Sequence, residues 1–435
     1  MYLKSLKLHN FRVFEDLKID FHENLTVIIG SNGAGKTTIM EGIAIALSSM
    51  FVKVDVLSSL RIDRAQAHLK SYEIGSTKDV QEQYPVLVGA SATVSTLSGN
   101  KDIEWARGLN SPTGQTVYGE ASQITSLGVE YQKALRDGDT QICLPIMVYY
   151  GTGRLWDYHR NKQTDVFEKS NRLNGYIDCF DGTANVKLMM NWFMKMTVQK
   201  YANQELGLGP IPELEAVYSA MKACYSRITG YNNVKMQYSM ATKELEVAYT
   251  DGDNNAMRIS INQLSDGYKS MISLVADIAY RMAVLNPQFL GDVCQNTDGV
   301  VFIDEIDLHL HPAWQQRVLD DLRAIFPKVQ FIVTTHAPAV INTVPKECIR
   351  ILKNNAVKNA PIETYGKDAN SVLTAIMEAD ERPAPVKVKF DKFYDALASD
   401  DYDTARKVLN ELKDELGDNY PDITSCEVKL DLAEM

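Results

Sequence analysis

A run of apolar residues, Leu25-Thr26-Val27-Ile28-Ile29, ends in Gly30-Ser31-Asn32-Gly33-Ala34-Gly35-Lys36-Thr37-Thr38 and reopens as an apolar stretch from Ile39 to Met50. No other segment restricts the fold so tightly. Gly30, Gly33 and Gly35 let the backbone bend until several N–H groups converge on one point. The flanking pattern predicts a buried strand over 25–29 and a helix from Thr37 to about Phe51, its positive end on the loop. The spacing G-x-x-x-x-G-K-T, from Gly30 to Thr37, is that of a phosphate cradle. In it Lys36 reaches the β- and γ-phosphates and the Thr37 hydroxyl meets magnesium.

The rest of the chain reads as α/β. Strands are expected over 2–8 and 17–21, before the loop, and then over 85–94 and 144–150, with a helix over 121–136. Residues 185–229 read as helical, with Val186, Met189, Met190, Phe193 and Met196 on one face. Strands return at 233–239 and 243–250. The runs 299–304 and 329–335 are continuous apolar strands, of the kind buried on both faces of a parallel sheet.

Composition adds exclusions. Of 435 residues, 45% are hydrophobic and 23% charged, an ordinary balance for a soluble globular protein. No apolar run reaches the about 20 residues needed to span a bilayer. The first residues lack the features of a secretion signal, and the six cysteines lie far apart with no CxxC pair. A reduced cytoplasm is the expected compartment, with no membrane association. Net charge is −11, unevenly spread. From Gly366 onward 9 basic residues face 17 acidic ones, a net of −8, which leaves −3 for the body. Composition therefore carries no basic nucleic-acid footprint.

Three further stretches carry chemistry. In Val300-Val301-Phe302-Ile303-Asp304-Glu305 an apolar strand delivers two carboxylates to its end. Neighbouring strand residues point to opposite faces, so the acids are expected to divide the labour. Asp304 holds the magnesium shell and Glu305 polarises the attacking water. In Leu264-Ser265-Asp266-Gly267 a serine and a glycine precede a helical stripe of Met271, Leu274, Val275, Ile278 and Met282. Ser265 is expected at the helix N-cap, and its hydroxyl with glycine amides makes a second anion site. Alone this is a common capping pattern. Its place in the chain, between the phosphate loop and the acidic strand end, gives it weight. His336 follows the strand ending Val333-Thr334-Thr335, where an imidazole can hydrogen-bond a γ-phosphate. The pair His309 and His311 is too little to specify a metal site.

In this order the motifs resemble the ATP-binding-cassette heads of the RecF/SMC-like group. Gly30–Thr38 resembles Walker A, Leu264–Ser270 the signature, Val300–Glu305 Walker B, and Val333–Pro338 the switch-histidine stretch. Asn10-Phe11-Arg12 is similar to the opening of that group, which implies an Arg12 near the nucleotide, and Asp307 falls at the D-loop aspartate. The resemblance covers about residues 1–353. It implies a P-loop NTPase of ABC type, a mixed and parallel sheet flanked by helices, with a helical insertion at about 155–230. The implied cofactors are ATP and Mg2+. The implied roles are catalytic for Glu305, Lys36 and His336, metal-holding for Thr37 and Asp304, and nucleotide-binding for Arg12, Gly30 to Thr38, Ser265, Gly267 and Asp307. Such heads dimerise around ATP, with Ser265 meeting the nucleotide held by the other subunit. Long coiled-coil arms are missing, and no glutamine stands convincingly as the Q-loop residue.

A narrower resemblance is to the PtuA-like ATPases of Septu and retron anti-phage systems. It rests on the short insertion, on Tyr150–Arg154, and on the stretch from Tyr365 to Pro383. It implies a partner HNH nuclease similar to PtuB, and in retrons a reverse transcriptase with its DNA–RNA. It also carries Arg154 to a nucleotide-proximal place. Residues 366–435 are expected to form an acidic helical tail, broken at Pro383 and Pro385, in which 401–418 resembles one tetratricopeptide-like hairpin. Phe390, Phe393, Leu397, Tyr402, Ala405, Leu409 and Leu412 make an apolar stripe over two helices, to be covered by the head or by a partner. Three functions stay open: an ATPase controlling an effector, a repair ATPase that clamps DNA, and an ATP-gated scaffold with little turnover. The near-neutral body and acidic tail favour the first over the second. Lys36 and Glu305 favour turnover over the third. Direct DNA contact is left open.

Overall fold

The computed structural model describes the chain apart from residues 98, 156–170, 183–185, 252–254, 378–379, 381, 419 and 435, and gives no side chains for 154, 155 and 375. It divides into two compact units, Met1–Lys367 and Asp368–Met435.

Behind the glycine loop lies a six-stranded sheet. Its order is β15 (Ala356–Asn359), β14 (Ile349–Lys353), β3 (Leu25–Gly30), β13 (Val329–Thr334), β12 (Gly299–Ile303) and β8 (Ile146–Tyr150). Neighbours run parallel except at the β14–β15 edge. Every residue of β8, β12 and β13 is buried, which is why their sequences are mostly apolar rather than alternating.

A four-stranded antiparallel sheet accompanies it, in the order β2 (Phe14–Asp20), β1 (Tyr2–Phe11), β6 (Val86–Thr96) and β7 (Gly99–Leu109). Buried and half-exposed residues alternate along β6, as one covered face requires. Gln330 of β13 staples the two sheets. Its enclosed amide accepts from Leu3 N (2.7 Å) and donates to Leu3 O (2.9 Å).

Helix α1 (Lys36–Leu47) follows the loop. Its last carbonyls lack partners within the helix, and β7 supplies them. Trp105 Nε1 donates to Ala46 O and Arg107 Nη1 to Ile45 O, each at 2.9 Å. The buried Arg107 cation also suits the negative end of the helix. With its far end pinned, α1 aims its near end at the loop. Helix α2 (Ser122–Arg136) packs on β7.

Residues 185–229, expected as one helical stretch, form α3 (Val186–Glu205) and α4 (Pro212–Thr229). Gly207, Gly209 and Pro210 lie in the break, and Pro212 opens α4 at a position where a missing N–H costs nothing. Of the expected face only Met189 and Phe193 are fully enclosed. A hairpin, β4 (Leu69–Ile74) and β5 (Thr77–Glu82), and a three-stranded sheet of β9 (Asn232–Ser239), β10 (Glu244–Thr250) and β11 (Ala256–Ser260), complete the strands.

Helix α5 (Asp266–Leu285) buries its whole expected stripe, Met271, Leu274, Val275, Ile278 and Met282. A buried polar group fastens it to β8. Tyr150 Oη donates to Asp277 Oδ2 (2.7 Å), and Arg281 Nε donates to the same oxygen (2.8 Å). Burial pushes the Tyr150 phenol well up, so it stays a donor. Among the described residues, no helix is long and apolar enough to cross a membrane.

The second unit holds helices Ala369–Ala375, Ala384–Ala398, Tyr402–Leu416 and Pro421–Ala433. The stripe lies over two helices as expected, but the expectation that the head or a partner covers it is corrected. Ile423, Cys426 and Leu430 of the last helix join Phe390, Phe393, Ala405, Leu409 and Leu412 in one enclosed cluster, with Leu397 and Tyr402 partly buried against it. The stripe is covered within its own unit.

Candidate nucleotide site

The loop is shaped by close approach. Gly35, at φ 105°, precedes α1, and a Cβ there would lie 2.5 Å from Phe14 Cζ. No other residue fits that backbone without strain. Lys36 is buried, and its ammonium donates to Gly30 O (2.9 Å), Ser31 O (3.2 Å) and His336 Nε2 (2.6 Å). All three protons are thereby engaged. Burial lowers the Lys36 pKa, while Asp304, Glu305 and Asp307 oppose the shift. Burial first, and the Lys36 charge next, lower the pKa of His336. A neutral imidazole results, and acceptance at Nε2 puts its proton on Nδ1.

The carboxylates lie just beyond the end of β12. Thr37 Oγ1 donates to Asp304 Oδ2 (2.6 Å), and Thr334 Oγ1 donates to Asp304 Oδ1 (2.5 Å). Asp304 is 1% exposed, and its N–H donates to Tyr150 O (2.8 Å). Strand alternation, the expected cause, does not set the direction of Glu305, which lies with Asp304 beyond the end of β12. Its backbone turns left-handed, φ 49°, and this redirects the side chain at a cost of about 1–2 kcal/mol. Glu305 N donates to Thr334 Oγ1 (2.7 Å), and Ile306 N donates to Thr334 O (3.0 Å). On the next residue, Thr335 Oγ1 donates to Asp307 Oδ1 (2.5 Å) and accepts from Ala337 N (3.0 Å). Lys36, Thr37, Asp304, Glu305, Asp307 and His336 are thus gathered around the two threonines. Sequence reading passed over Thr334 and Thr335. Their signal was available, since two hydroxyls at the end of a largely apolar buried strand need partners.

The remaining residues stand apart from this group. Ser31, Asn32 and Gly33 are exposed along the loop, Ala34 is half-buried, and Thr38 turns inward. Arg12, at φ 52°, pairs its guanidinium with Glu41 of α1 (2.7 Å). Burial raises the Glu41 pKa and Arg12 opposes the rise. Ser265 occupies the N-cap of α5 with extended backbone, yet its exposed side chain makes no capping hydrogen bond. Gly267 is packed so closely that a Cβ would lie 2.7 Å from His309 O. His311 accepts from Ala313 N and caps the short helix Pro312–Gln315. The Arg154 side chain lies outside the described residues.

Comparison with known families bears on the same residues. An AAA domain family matches residues 5–228, just over half of the chain and inclusive of the glycine loop. The chain belongs to the AAA domain family. A second AAA domain family, described as a putative AbiEii toxin of a type IV TA system, matches residues 196–342, which contain Ser265, Asp304, Glu305 and His336. This AAA protein is 27% identical over 422 residues to a retron Vc95 probable ATPase from Vibrio cholerae serotype O1 biovar El Tor, covering 88% of this chain and 80% of that one. It is 24% identical over 399 residues to the Septu protein PtuA of Bacillus thuringiensis, covering 89% and 87%. An Smc head domain with an extended coiled coil, bound to the C-terminal domain of ScpA and derived from Pyrococcus furiosus, aligns at 16% identity with a TM-score of 0.48, covering 86% of this chain and 99% of that one.

Proposed function

We propose that this AAA protein binds and hydrolyses ATP with Mg2+, that two copies close head to head around the nucleotide, and that closure controls a partner effector in anti-phage defence. One observation carries the nucleotide part. Thr37, Asp304 and Thr334, from three distant parts of the sequence, form a continuous hydrogen-bonded chain beside the Lys36–His336 contact. The donors fit Mg2+, a hard ion that takes one or two protein oxygens and keeps several waters. Thr37 Oγ1 and Asp304 would hold it, and when bound it offsets charge on the phosphates. Lys36 and the loop amides would hold phosphate oxygens, exchanging Gly30 O and Ser31 O for them. Glu305 would orient the attacking water and take its proton. His336 would contact the γ-phosphate, with Arg12 beside the nucleotide. Ser265, Gly267 and Asp307 would act across the dimer.

Glu305→Gln tests the hydrolytic role. The variant should bind ATP as the wild type does and lose phosphate release by about 100-fold or more, accumulating as a dimer with ATP. Undiminished turnover would sink the assignment.

For the effector, the relatives named retron probable ATPase and Septu PtuA support a defence setting. Together with the resemblance of the motifs, they support an HNH nuclease as partner. A retron reverse transcriptase with its DNA–RNA is the further candidate. Co-expression with the products of adjacent genes checks this: a nuclease that co-purifies and changes activity with ATP is the expected result. Binding of DNA ends without any protein partner would favour a repair clamp instead.

A further inference from the structure

We infer that Thr334 is a positioning residue for hydrolysis: its single hydroxyl orients the Asp304 carboxylate and holds Glu305 in its left-handed turn. The inference rests on the roles proposed above for those two acids. A hydroxyl has one proton and two lone pairs. The proton goes to Asp304 Oδ1 (2.5 Å), and a lone pair takes the Glu305 N–H (2.7 Å). One atom therefore fixes both the metal-holding group and the backbone that aims the base. The Thr334 carbonyl adds a third tie, accepting from Ile306 N (3.0 Å).

The platform is rigid. Thr334 has no exposed surface and closes β13, paired with Ile28 of β3. The two oxygens of Asp304 are consequently divided. Oδ2 meets Thr37, on the loop that receives phosphate, and Oδ1 meets Thr334, on the sheet. When nucleotide and metal draw on Thr37, the bond from Thr334 still ties Asp304 Oδ1 to the sheet. Thr334 itself touches no reacting atom, so its effect passes through its neighbours.

Valine keeps the β-branch and removes the hydroxyl, whereas serine keeps the hydroxyl. Thr334→Val should lower kcat, and raise the Mg2+ concentration for half-maximal rate, by about 10- to 100-fold. KM for ATP should stay near wild type, and Tm should fall by only a few degrees, since the buried Asp304 oxygen and Glu305 N–H lose a partner. Thr334→Ser should recover most of the rate, and Thr334→Ala should reproduce the valine defect. Equal losses in the serine and valine variants would overturn the inference, as would wild-type kcat and Mg2+ dependence in the valine variant. It also fails if the valine and alanine variants both unfold, because the role is then structural. Wild-type controls separate the levels. If the wild type releases phosphate and Thr334→Val does so equally fast, this inference alone is wrong. If the wild type neither binds ATP nor releases phosphate, the ATPase reading falls and takes this one with it.

Discussion

Around Lys36 polar groups are engaged within the chain, whereas Ser265 is left open to solvent. Lys36 spends three protons on Gly30, Ser31 and His336, and each Asp304 oxygen receives a hydroxyl. The signature stretch is built otherwise. Ser265 begins a 20-residue helix without spending its hydroxyl on a cap, forgoing about 1 kcal/mol of helix stability. Behind it Gly267 is pressed against His309, so the backbone there is fixed while the serine faces outward. One region is complete inside a single chain. The other is a mount of closely packed backbone that presents an exposed hydroxyl, an arrangement that suits the head-to-head closure proposed above.

The largest effect should come from splitting the two regions between subunits. Lys36→Ala and Ser265→Arg chains should each be nearly inactive alone. Mixed in equal amounts, random pairing gives up to about a quarter of wild-type turnover through dimers with one intact site. Phosphate release and mass measured on the same sample decide it. No recovery in verified mixed dimers would break the comparison, because both motifs would then serve one chain.

Gly267→Ala sharpens the claim that the mount is rigid. The added Cβ meets the His309 carbonyl at 2.7 Å and Trp314 Cζ3 at 3.0 Å, so the start of α5 must shift. A displacement of that order is expected to cost about 10- to 100-fold in kcat, with ATP binding by the Lys36 region unchanged. Full turnover in the alanine variant would show that the mount has slack.

The two regions also differ in how far their sequences announced them. The glycine loop, the acidic strand end and the stripe on α5 were legible because each is a local pattern: a fixed spacing, an apolar run, a helical period. The bonds from Thr334 and Thr335 were not, since the partners Asp304 and Asp307 lie about one helix and one strand away in sequence and meet them only once β12 and β13 pair. The turn at Glu305 was hidden for the same reason, as nothing in Asp304-Glu305-Ile306 favours left-handed backbone apart from the bond that holds it. Strand β7 was missed because its exposed half is polar, and β4, β5 and β11 because they are short and largely exposed. The break in 185–229 and the last tail helix had readable signals, Gly207-Leu208-Gly209-Pro210 in one case and the spacing of Ile423, Cys426 and Leu430 in the other.

The tail supplies a control outside both regions. Leu412 is wholly buried in the cluster of the second unit, and Leu412→Ala should destabilise that unit by about 2–5 kcal/mol. Melting should show an early transition in the variant, with ATP binding by the first unit retained. A parallel fall in ATP binding would mean that the two units fold together, and stability data could then no longer be assigned to one of them.

The smallest effect concerns pH, and it tests whether the Lys36–His336 contact is the closed state of one chain. Burial and the Lys36 charge hold the His336 pKa below that of an unfolded histidine, about 6.5. Above that pH neither state takes up a proton, so His336 adds no pH dependence. As pH falls below it, the unfolded chain binds a proton that the folded chain refuses. Stability is then lost until the lower folded pKa is passed. Without nucleotide, the Tm of the wild type should therefore fall more steeply below pH 6.5 than that of His336→Asn, and the two curves should run parallel above it. Adding ATP to the Glu305→Gln background should shrink the difference, because phosphate charge favours the protonated imidazole and draws Lys36 away from Nε2. Parallel curves throughout would show that the contact carries no electrostatic weight. A difference that ATP leaves untouched would show that His336 does not face the nucleotide, and the switch role would have to be given up.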